Sequence, residues 1–158
     1  MRSRHDADAP IPAACACGRL RRASRALTRY YDDAMAASGL RVTQYSLLRT
    51  LDRAGTVRMS TLATAHLIDR TALARTLDPL VDAGYVRIAR GRDARTREIE
   101  ITAGGRAALA AAAGPWRRAQ AEVAARLGRE RFDTLIALLA RLETFDPVSP
   151  TPATEETT

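Results

Sequence analysis

The sequence contains no lysine and no asparagine, and it has only two histidines and two cysteines. It offers no Ser/His/Asp set, no HExxH metal motif and no glycine loop spaced to cradle a phosphate. Structural zinc takes four ligands, which Cys15, Cys17 and the distant His5 and His66 are poorly placed to supply. We therefore expect a protein that is not an enzyme and holds no metal or cofactor.

Long apolar stretches are also missing. No run approaches the roughly 18 residues that indicate a membrane span, and the first residues lack the apolar core of a secretory signal. We therefore expect a cytoplasmic protein without a membrane partner. Residues 1–14 and the Pro/Thr/Glu-rich 147–158 have little to bury and are predicted to be disordered. Residues 15–146 are predicted to form one domain.

The charge of the chain is strongly positive. Net charge is +7 and the sequence pI is about 10.6, which suits a polyanionic partner. All 25 lysine-plus-arginine positions are arginine. Together with abundant alanine, this is typical of a GC-rich genome, so the arginine count alone is weak evidence for DNA. How the arginines cluster is better evidence.

One predicted helix has the character of a DNA-reading helix. Asp69 is its expected N-cap, and Gly84 ends it as a C′ glycine. Its apolar face is predicted to consist of Leu73, Leu77, Leu80 and Val81. The opposite face carries arginine for bidentate contacts, a hydroxyl and a small residue that allows close approach, in the set Arg70, Thr71, Ala74, Arg75 and Asp78.

Pro79 lies inside this helix. A proline there removes an N–H and crowds the carbonyl of Arg75, at a cost of about 3 kcal/mol in a regular helix. We expect the helix to kink, or its C-terminal half to swing away from DNA. The half that would contact DNA, from Arg70 to Arg75, precedes the proline.

A hairpin follows the helix. The runs 85–89 and 98–102 are strand-like, with Val86 and Ile88 on one face of the first and Ile99 and Ile101 on one face of the second. Gly91 permits the reversal. Asp93 is the single opposing charge expected within a dense cluster of Arg87, Arg90, Arg92, Arg95 and Arg97. Such a cluster is costly unless an anion lies against it.

The ordered set of these features resembles a known family. It comprises Leu62-Ala63, Asp69-Arg70-Thr71 with Arg75, Leu80, Gly84-Tyr85-Val86, the Asp-x-Arg signature at Asp93-Ala94-Arg95, and Ile101-Thr102-Ala103-Gly104-Gly105; upstream are Gly39-Leu40, Gln44 and Leu47-Leu48. Over roughly residues 17 to 143 the chain resembles the MarR family of bacterial transcription regulators. The resemblance implies a DNA-binding set of Ser60, Thr61, Arg70, Thr71, Ala74, Arg75, Arg90, Arg92, Arg95 and Arg97, with Asp93 shaping the wing.

The fold expected from pattern and resemblance is mostly α with a small β wing. A winged helix-turn-helix of about 40–102 is flanked by dimerisation helices of about 17–37 and 103–143. Thr43 is the expected cap of a helix 43–53, and Gly114-Pro115 is expected to interrupt the helix of 103–127. The last helix is apolar around much of its circumference, so it packs either on the first helix of its own chain or on a second copy. The resemblance favours a homodimer through Leu20, Leu135, Ile136, Leu139 and Leu142.

The pair Cys15 and Cys17 is the other informative feature. Cys17 stands at the start of the first helix, ahead of several arginines, where the helix dipole and the cations favour a reactive thiolate. The stretch from Cys17 resembles the organic-hydroperoxide-sensing branch of the MarR family, which implies Cys17 as the sensor and Tyr31 as its hydrogen-bond partner. A second such tyrosine is replaced by Val42, and the distal resolving cysteine has no counterpart.

Other interpretations of the cysteine pair stay open. Cys15 could act as a resolver from its adjacent position or across a dimer, although a Cys15–Cys17 disulfide is sterically awkward. The pair could also be a soft-metal or intersubunit site, or two small half-buried residues at the dimer seam.

Three functional hypotheses follow. The first is a dimeric DNA-binding repressor of a pseudo-palindromic operator that is released by oxidation of Cys17. The second is the same repressor released by a lipophilic or phenolic small-molecule effector. The third is a helical protein-interaction dimer whose winged unit does not bind DNA.

Overall fold

A computed structural model of the chain describes residues 15–91 and 96–145. The protein is mostly helical with a small three-stranded sheet, as the sequence predicts. In chain order the elements are α1 (Ala16–Met35), a 3₁₀ turn (Ala36–Ser38), α2 (Val42–Ala54), β1 (Val57–Arg58), α3 (Met59–Ala65), α4 (Arg70–Asp82), β2 (Val86–Arg90), β3 (Arg97–Ile101), α5 (Ala103–Leu127) and α6 (Arg129–Leu142).

The sheet is antiparallel, in the order β1-β3-β2. Strands β2 and β3 lie within one residue of their predicted bounds, and Ile88 faces Ile99 across the pair. Sequence analysis missed β1, whose Val57 also pairs with Ile99. A strand of two residues is too short to show alternation, so nothing local marks it.

The core lies between α2, α4 and the sheet. Leu47, Leu48 and Leu51 of α2 are buried, and so are Ile99 and Ile101 of the sheet, in one cluster with Leu73, Leu77 and Leu80 of α4. The prediction for Val81 is wrong, because its side chain is 38% exposed. At 100° per residue Val81 lies roughly 80° from Leu73, at the edge of the buried stripe.

Both ends of α4 are formed as the sequence predicts. Asp69 Oδ1 accepts a hydrogen bond from Ala72 N at 2.8 Å. At the other end Gly84 has φ +70°, and the amides of Gly84 and Tyr85 donate to the carbonyls of Val81 and Leu80 at 2.9 and 2.8 Å. These two bonds are the Schellman pattern, which satisfies the last free carbonyls of a helix.

Two prolines lie inside helices. Helix α4 runs without interruption through Pro79, and α5 runs without interruption through Pro115. The predicted break at Gly114-Pro115 is therefore wrong. The Cβ of the residue before a proline is one source of the clash that disfavours a helix, and Gly114 has none. Asp78 does have a Cβ, yet α4 also continues through Pro79, so neither proline ends its helix.

Helix α2 begins one residue earlier than expected, and its cap is different. Its N-cap is Arg41 rather than Thr43. Gln44 Oε1 accepts from Arg41 N at 3.0 Å, and Asp32 Oδ1, from α1, accepts from Val42 N at 2.8 Å. The cap is supplied by a residue ten positions away in sequence, so the local cap rules pointed to the wrong residue.

The chain divides into two compact units at Ala119. In the second unit Phe132 of α6 is buried, whereas Ile136 and Leu142 are 46% and 39% exposed. Leu135 and Leu139 are half-buried. Helix α6 thus leaves apolar surface uncovered, and the dimer that this surface suggests stays a prediction. Within the described ranges, no helix is long and apolar enough to cross a membrane.

Candidate nucleic-acid interface

Helix α4 presents its predicted reading face to solvent. Arg70, Thr71 and Arg75 are exposed, and Ala74 is half-buried. The face opposite Thr71 and Arg75 is fixed in the core by three leucines, whereas Arg70, in the first turn, lies beside that face. Because that core face cannot turn outward without exposing apolar surface, the orientation of the basic face is determined by packing.

The start of α4 shares an open concavity of about 280 Å³ with three other elements. It is lined by Arg58 of β1, Met59 and Ser60 of α3, Arg70 of α4, Thr96, and Arg97 of β3. The fold thus brings together three of the predicted residues, Ser60, Arg70 and Arg97. Among the described residues, the lining of the concavity includes no acidic side chain, so its chemistry suits an anion such as a DNA phosphate.

Sequence analysis missed Arg58. Its presence in the concavity depends on β1, whose pairing with β3 sets Arg58 opposite Glu98. The one available signal was its position two residues before Ser60, the first residue assigned to the DNA-binding set. Thr61 beside Ser60 is exposed, but it does not line the concavity.

The base of the wing also concentrates positive charge. Arg90 and Arg97 are direct partners across β2 and β3, an arrangement of like charges that destabilises a strand pair. Gly91 N donates to Thr96 O at 2.9 Å where the described part of the hairpin ends. The predicted contacts Arg92 and Arg95, with Asp93, lie outside the described residues.

Arg87 differs from the other wing arginines. Its Nε donates to Glu100 Oε1 at 2.8 Å, and Thr56 donates to the same carboxylate at 3.3 Å. Hydrogen bonding and the positive charge of Arg87 lower the pKa of Glu100. The expectation that Asp93 is the single opposing charge is therefore wrong, because β3 supplies a second one from across the sheet.

His66 is a packing residue at the end of α3. Its Nε2 lies 3.1 Å from Thr50 Oγ1, and Thr50 already donates its proton to Ser46 O at 3.1 Å. Partial burial lowers the pKa of His66, so the imidazole is neutral near pH 7 and links α2 to the turn before α4.

The two cysteines lie at the start of α1. Cys15 is the N-cap, and its Sγ accepts from Gly18 N at 3.4 Å. Cys17 follows in the first turn, and both are exposed free thiols. The interpretation that both are half-buried at a dimer seam stays a prediction, because the exposure of the single chain does not test it.

Tyr31 lies far from Cys17 along the same helix. It sits edge-on to Tyr30 with ring centroids 5.9 Å apart, and burial raises its pKa. Fourteen residues of continuous helix separate it from Cys17 by about 21 Å. A Cys17–Tyr31 hydrogen bond within one chain is thus excluded, so the pair could form only between two copies.

Comparisons with known proteins bear on these features. The MarR-family profile matches residues 40–95, the segment that contains the reading helix. The transcriptional regulator MosR of M. tuberculosis, solved in complex with DNA, is 41% identical, with 83% of this chain and 99% of that chain covered and a TM-score of 0.69. The chain belongs to the MarR family.

Other MarR-like structures share the fold. The transcriptional repressor CouR, bound to a 23-mer DNA duplex, is 26% identical, with 85% of this chain and 99% of that chain covered and a TM-score of 0.74. NadR in complex with 4-hydroxyphenylacetate is 24% identical, with coverage of 88% and 99% and a TM-score of 0.68. No curated protein matches the chain.

The MarR family consists of DNA-binding transcriptional regulators rather than enzymes. The basic face of α4 and the Arg58–Arg70–Arg97 concavity are the parts of this MarR-family chain that suit that role.

Proposed function

We propose that this MarR-family regulator is a cytoplasmic homodimer that represses transcription by binding a pseudo-palindromic operator. The observation that carries the proposal is the α4 surface, where Thr71 and Arg75 are exposed opposite a helix face that is packed in the core, and Arg70 is exposed at the start of the helix. Arginine and hydroxyl side chains at this position suit base edges in the major groove. Ser60, Thr61, Ala74 and the wing residues Arg90, Arg92, Arg95 and Arg97 complete the proposed contact set.

The phosphate contacts are proposed to lie beside the reading helix. Arg58, Arg70 and Arg97 line one concavity with Ser60, and these three guanidinium groups would hold a backbone phosphate. Such contacts fix the register of a protein on the duplex, whereas base contacts give specificity. The two parts of the surface therefore have different proposed roles, and Arg70 belongs to both.

Dimerisation is supported by apolar surface at both ends of the chain. Leu20 and Leu27 of α1 are 37% and 39% exposed, and α6 leaves Ile136 and Leu142 uncovered. Covering such faces in a second copy removes them from water. Two copies related by a two-fold axis would place their α4 helices about 34–36 Å apart, one turn of DNA.

The test pairs sedimentation with a gel shift on the chain's own promoter region. We expect a dimer at micromolar concentration and a protected pseudo-palindrome whose isolated half-site binds far more weakly, because a half-site engages only one α4. A stable monomer, or equal affinity for the half-site, contradicts the proposal. A dimer without DNA affinity would instead favour the protein-interaction hypothesis.

The proposed signal is oxidation of Cys17. Its thiol is exposed in the first turn of α1, and the far end of α1 is tied to α2 through the Asp32–Val42 hydrogen bond. An organic hydroperoxide would transfer an oxygen to the thiolate, the O–O bond would break, and the alcohol would leave with a proton. Condensation of the sulfenic acid with a second thiol would then release water.

We expect an organic hydroperoxide to lower operator affinity about tenfold in the native chain, since a modified Cys17 at the dimer seam would change the spacing of the two α4 helices. Operator affinity with and without oxidant is measured for the native chain, Cys17→Ser and Cys15→Ser, together with intact mass. Cys17→Ser should not respond. Cys15→Ser should still gain one oxygen if Cys15 is only a resolver. If the native chain keeps full operator affinity after oxidation, or if oxidant still lowers the operator affinity of Cys17→Ser, Cys17 is not the sensor.

A second mode of release has its own support. NadR, which shares this fold, is solved with 4-hydroxyphenylacetate, a phenolic compound. If oxidation leaves operator affinity unchanged, release by a lipophilic or phenolic effector becomes the leading proposal. Thermal-shift measurements with a set of aromatic carboxylates show which compounds bind the protein, and the gel shift shows whether a bound compound releases the operator. The two measurements together distinguish the two modes.

A further inference from the structure

A polar concavity lies where α1 meets the start of α2. It is open, has a volume of about 650 Å³, and is lined by Arg22, Arg25, Arg29, Arg41, Asp32 and hydroxyl-bearing side chains. We call it the α1 arginine pocket. It lies outside the reading surface, since none of its lining residues belongs to the proposed DNA-contact set.

The pocket carries an excess of positive charge. Asp32 is its one acidic lining residue, and that carboxylate is already occupied: Oδ2 accepts from Arg41 Nη1 at 3.2 Å and Oδ1 accepts from Val42 N at 2.8 Å. Among residues 15–91 and 96–145, no acidic side chain forms an ion pair with Arg22, Arg25 or Arg29. Three cations therefore face the pocket without a neutralising partner in the described chain.

The charges of α1 also oppose its own dipole. Cations are unfavourable near a helix N-terminus and anions near a C-terminus. Helix α1 has no acidic residue in its first turn and no basic residue in its last. Instead it carries arginines from Arg19 to Arg29 and then Asp32 and Asp33. Arg25 and Arg29 are also four residues apart, where like charges repel.

Several unfavourable charge placements in one helix are typical of a functional surface. The arginines of the pocket recur at i, i+3 and i+7, which places them on one face of α1. At 100° per residue this face is opposite Leu20 and Leu27, the apolar face assigned to dimerisation. The pocket therefore needs a partner other than the one that would cover the apolar face.

We propose that the α1 arginine pocket binds a small, multiply charged oxyanion of the polyphosphate or phosphate-ester class. Arg22 and Arg29 are seven residues apart, about 10 Å along the helix, so a ligand with several charges can neutralise the guanidinium groups of the pocket together. Guanidinium groups bind phosphate oxygens through paired hydrogen bonds. The Ser24 and Thr28 hydroxyls in the lining add neutral donors. The concave shape suits a compact ligand rather than a rigid duplex.

The experiment measures binding directly, without DNA, so its outcome does not depend on the proposed operator. Tripolyphosphate is titrated into the full chain by calorimetry near 0.15 M salt. Titration with orthophosphate tests whether the ligand needs several charges. Titration with citrate tests whether the pocket prefers phosphate groups to carboxylates. Arg25→Gln and Arg29→Gln remove pocket charges, and Arg53→Gln removes an exposed arginine outside the pocket.

We expect one tripolyphosphate per chain, with citrate and orthophosphate weaker. Affinity should fall about fivefold in each pocket variant and stay unchanged in Arg53→Gln. Without ligand the pocket variants should melt no lower than the native chain, since each removes a repulsive charge. Absence of tripolyphosphate binding, or an equal loss in Arg53→Gln, overturns the proposal. If tripolyphosphate does not bind and Arg25→Gln instead weakens binding of a random duplex, the arginines of the α1 arginine pocket contact DNA.

Discussion

Gly105→Ala is expected to destabilise the protein by about 2–3 kcal/mol, a fall of roughly 5–10 °C in melting temperature. Gly105 lies in the first turn of α5, and its amide donates to Thr102 Oγ1 at 3.0 Å. A Cβ there would overlap the carbonyl oxygen of Tyr85 and lie 2.8 Å from Ile101 Cγ1. Tyr85 cannot yield easily, because its carbonyl accepts from Thr102 N and its amide closes the end of α4.

The neighbouring glycine provides a matched control. A Cβ at Gly104 would meet its nearest atoms, Gly84 O and Thr102 Oγ1, at 3.6 Å, which is ordinary van der Waals contact. Gly104→Ala should therefore raise the melting temperature by a few degrees, because alanine is more favourable than glycine in a helix by up to about 1 kcal/mol. Both variants are melted at one protein concentration, since dimerisation would make the midpoint concentration-dependent. Equal midpoints for the two variants would show that α5 does not pack so closely on Tyr85.

Arg75→Ala is expected to weaken binding to the best operator by about 1–3 kcal/mol, or roughly 5- to 150-fold. Arg75 is exposed on α4, one turn beyond Thr71 and before Pro79, so it lies in the half of the helix that would enter the groove. Affinity is measured on the operator and on a random duplex at the same salt concentration. Because a base-edge contact is lost only at the operator, the ratio of the two affinities should fall.

Arg117→Ala is the control for loss of one positive charge, since Arg117 is exposed on α5 and outside the winged unit. It should leave the ratio unchanged. An Arg75→Ala loss that is equal on random DNA would reduce Arg75 to a phosphate contact. Melting curves check that both variants remain folded, as expected for exposed positions.

Several features of this fold could be predicted because the information is local. The Asp69 cap and the Gly84 terminus each rest on residues within one turn of α4, where a carboxylate or a left-handed glycine satisfies free backbone groups. Ile99 and Ile101 alternate with polar residues along β3, and this alternation likewise predicted that their side chains share one face of the strand. The basic face of α4 follows from the buried leucines, because a 3.6-residue period fixes what stands opposite them.

Tertiary contacts decided the features that sequence analysis missed or assigned wrongly. Helix α2 is capped by Asp32 from α1, and Arg87 is neutralised by Glu100 from across the sheet. In each case the partner or the constraint comes from another element, so neighbouring residues carry no sign of it.

The MarR-like order of elements and the basic reading helix were therefore determined by the sequence itself, through helical periodicity, end signals and the clustering of arginine. Only the tertiary structure set Arg58 beside Arg70 and Arg97, and only it grouped Arg25, Arg29 and Arg41 around one concavity. The physical reason is that charged surface residues follow no periodic pattern in the sequence and require no particular neighbouring residue. Its surroundings depend on which elements the apolar core brings together.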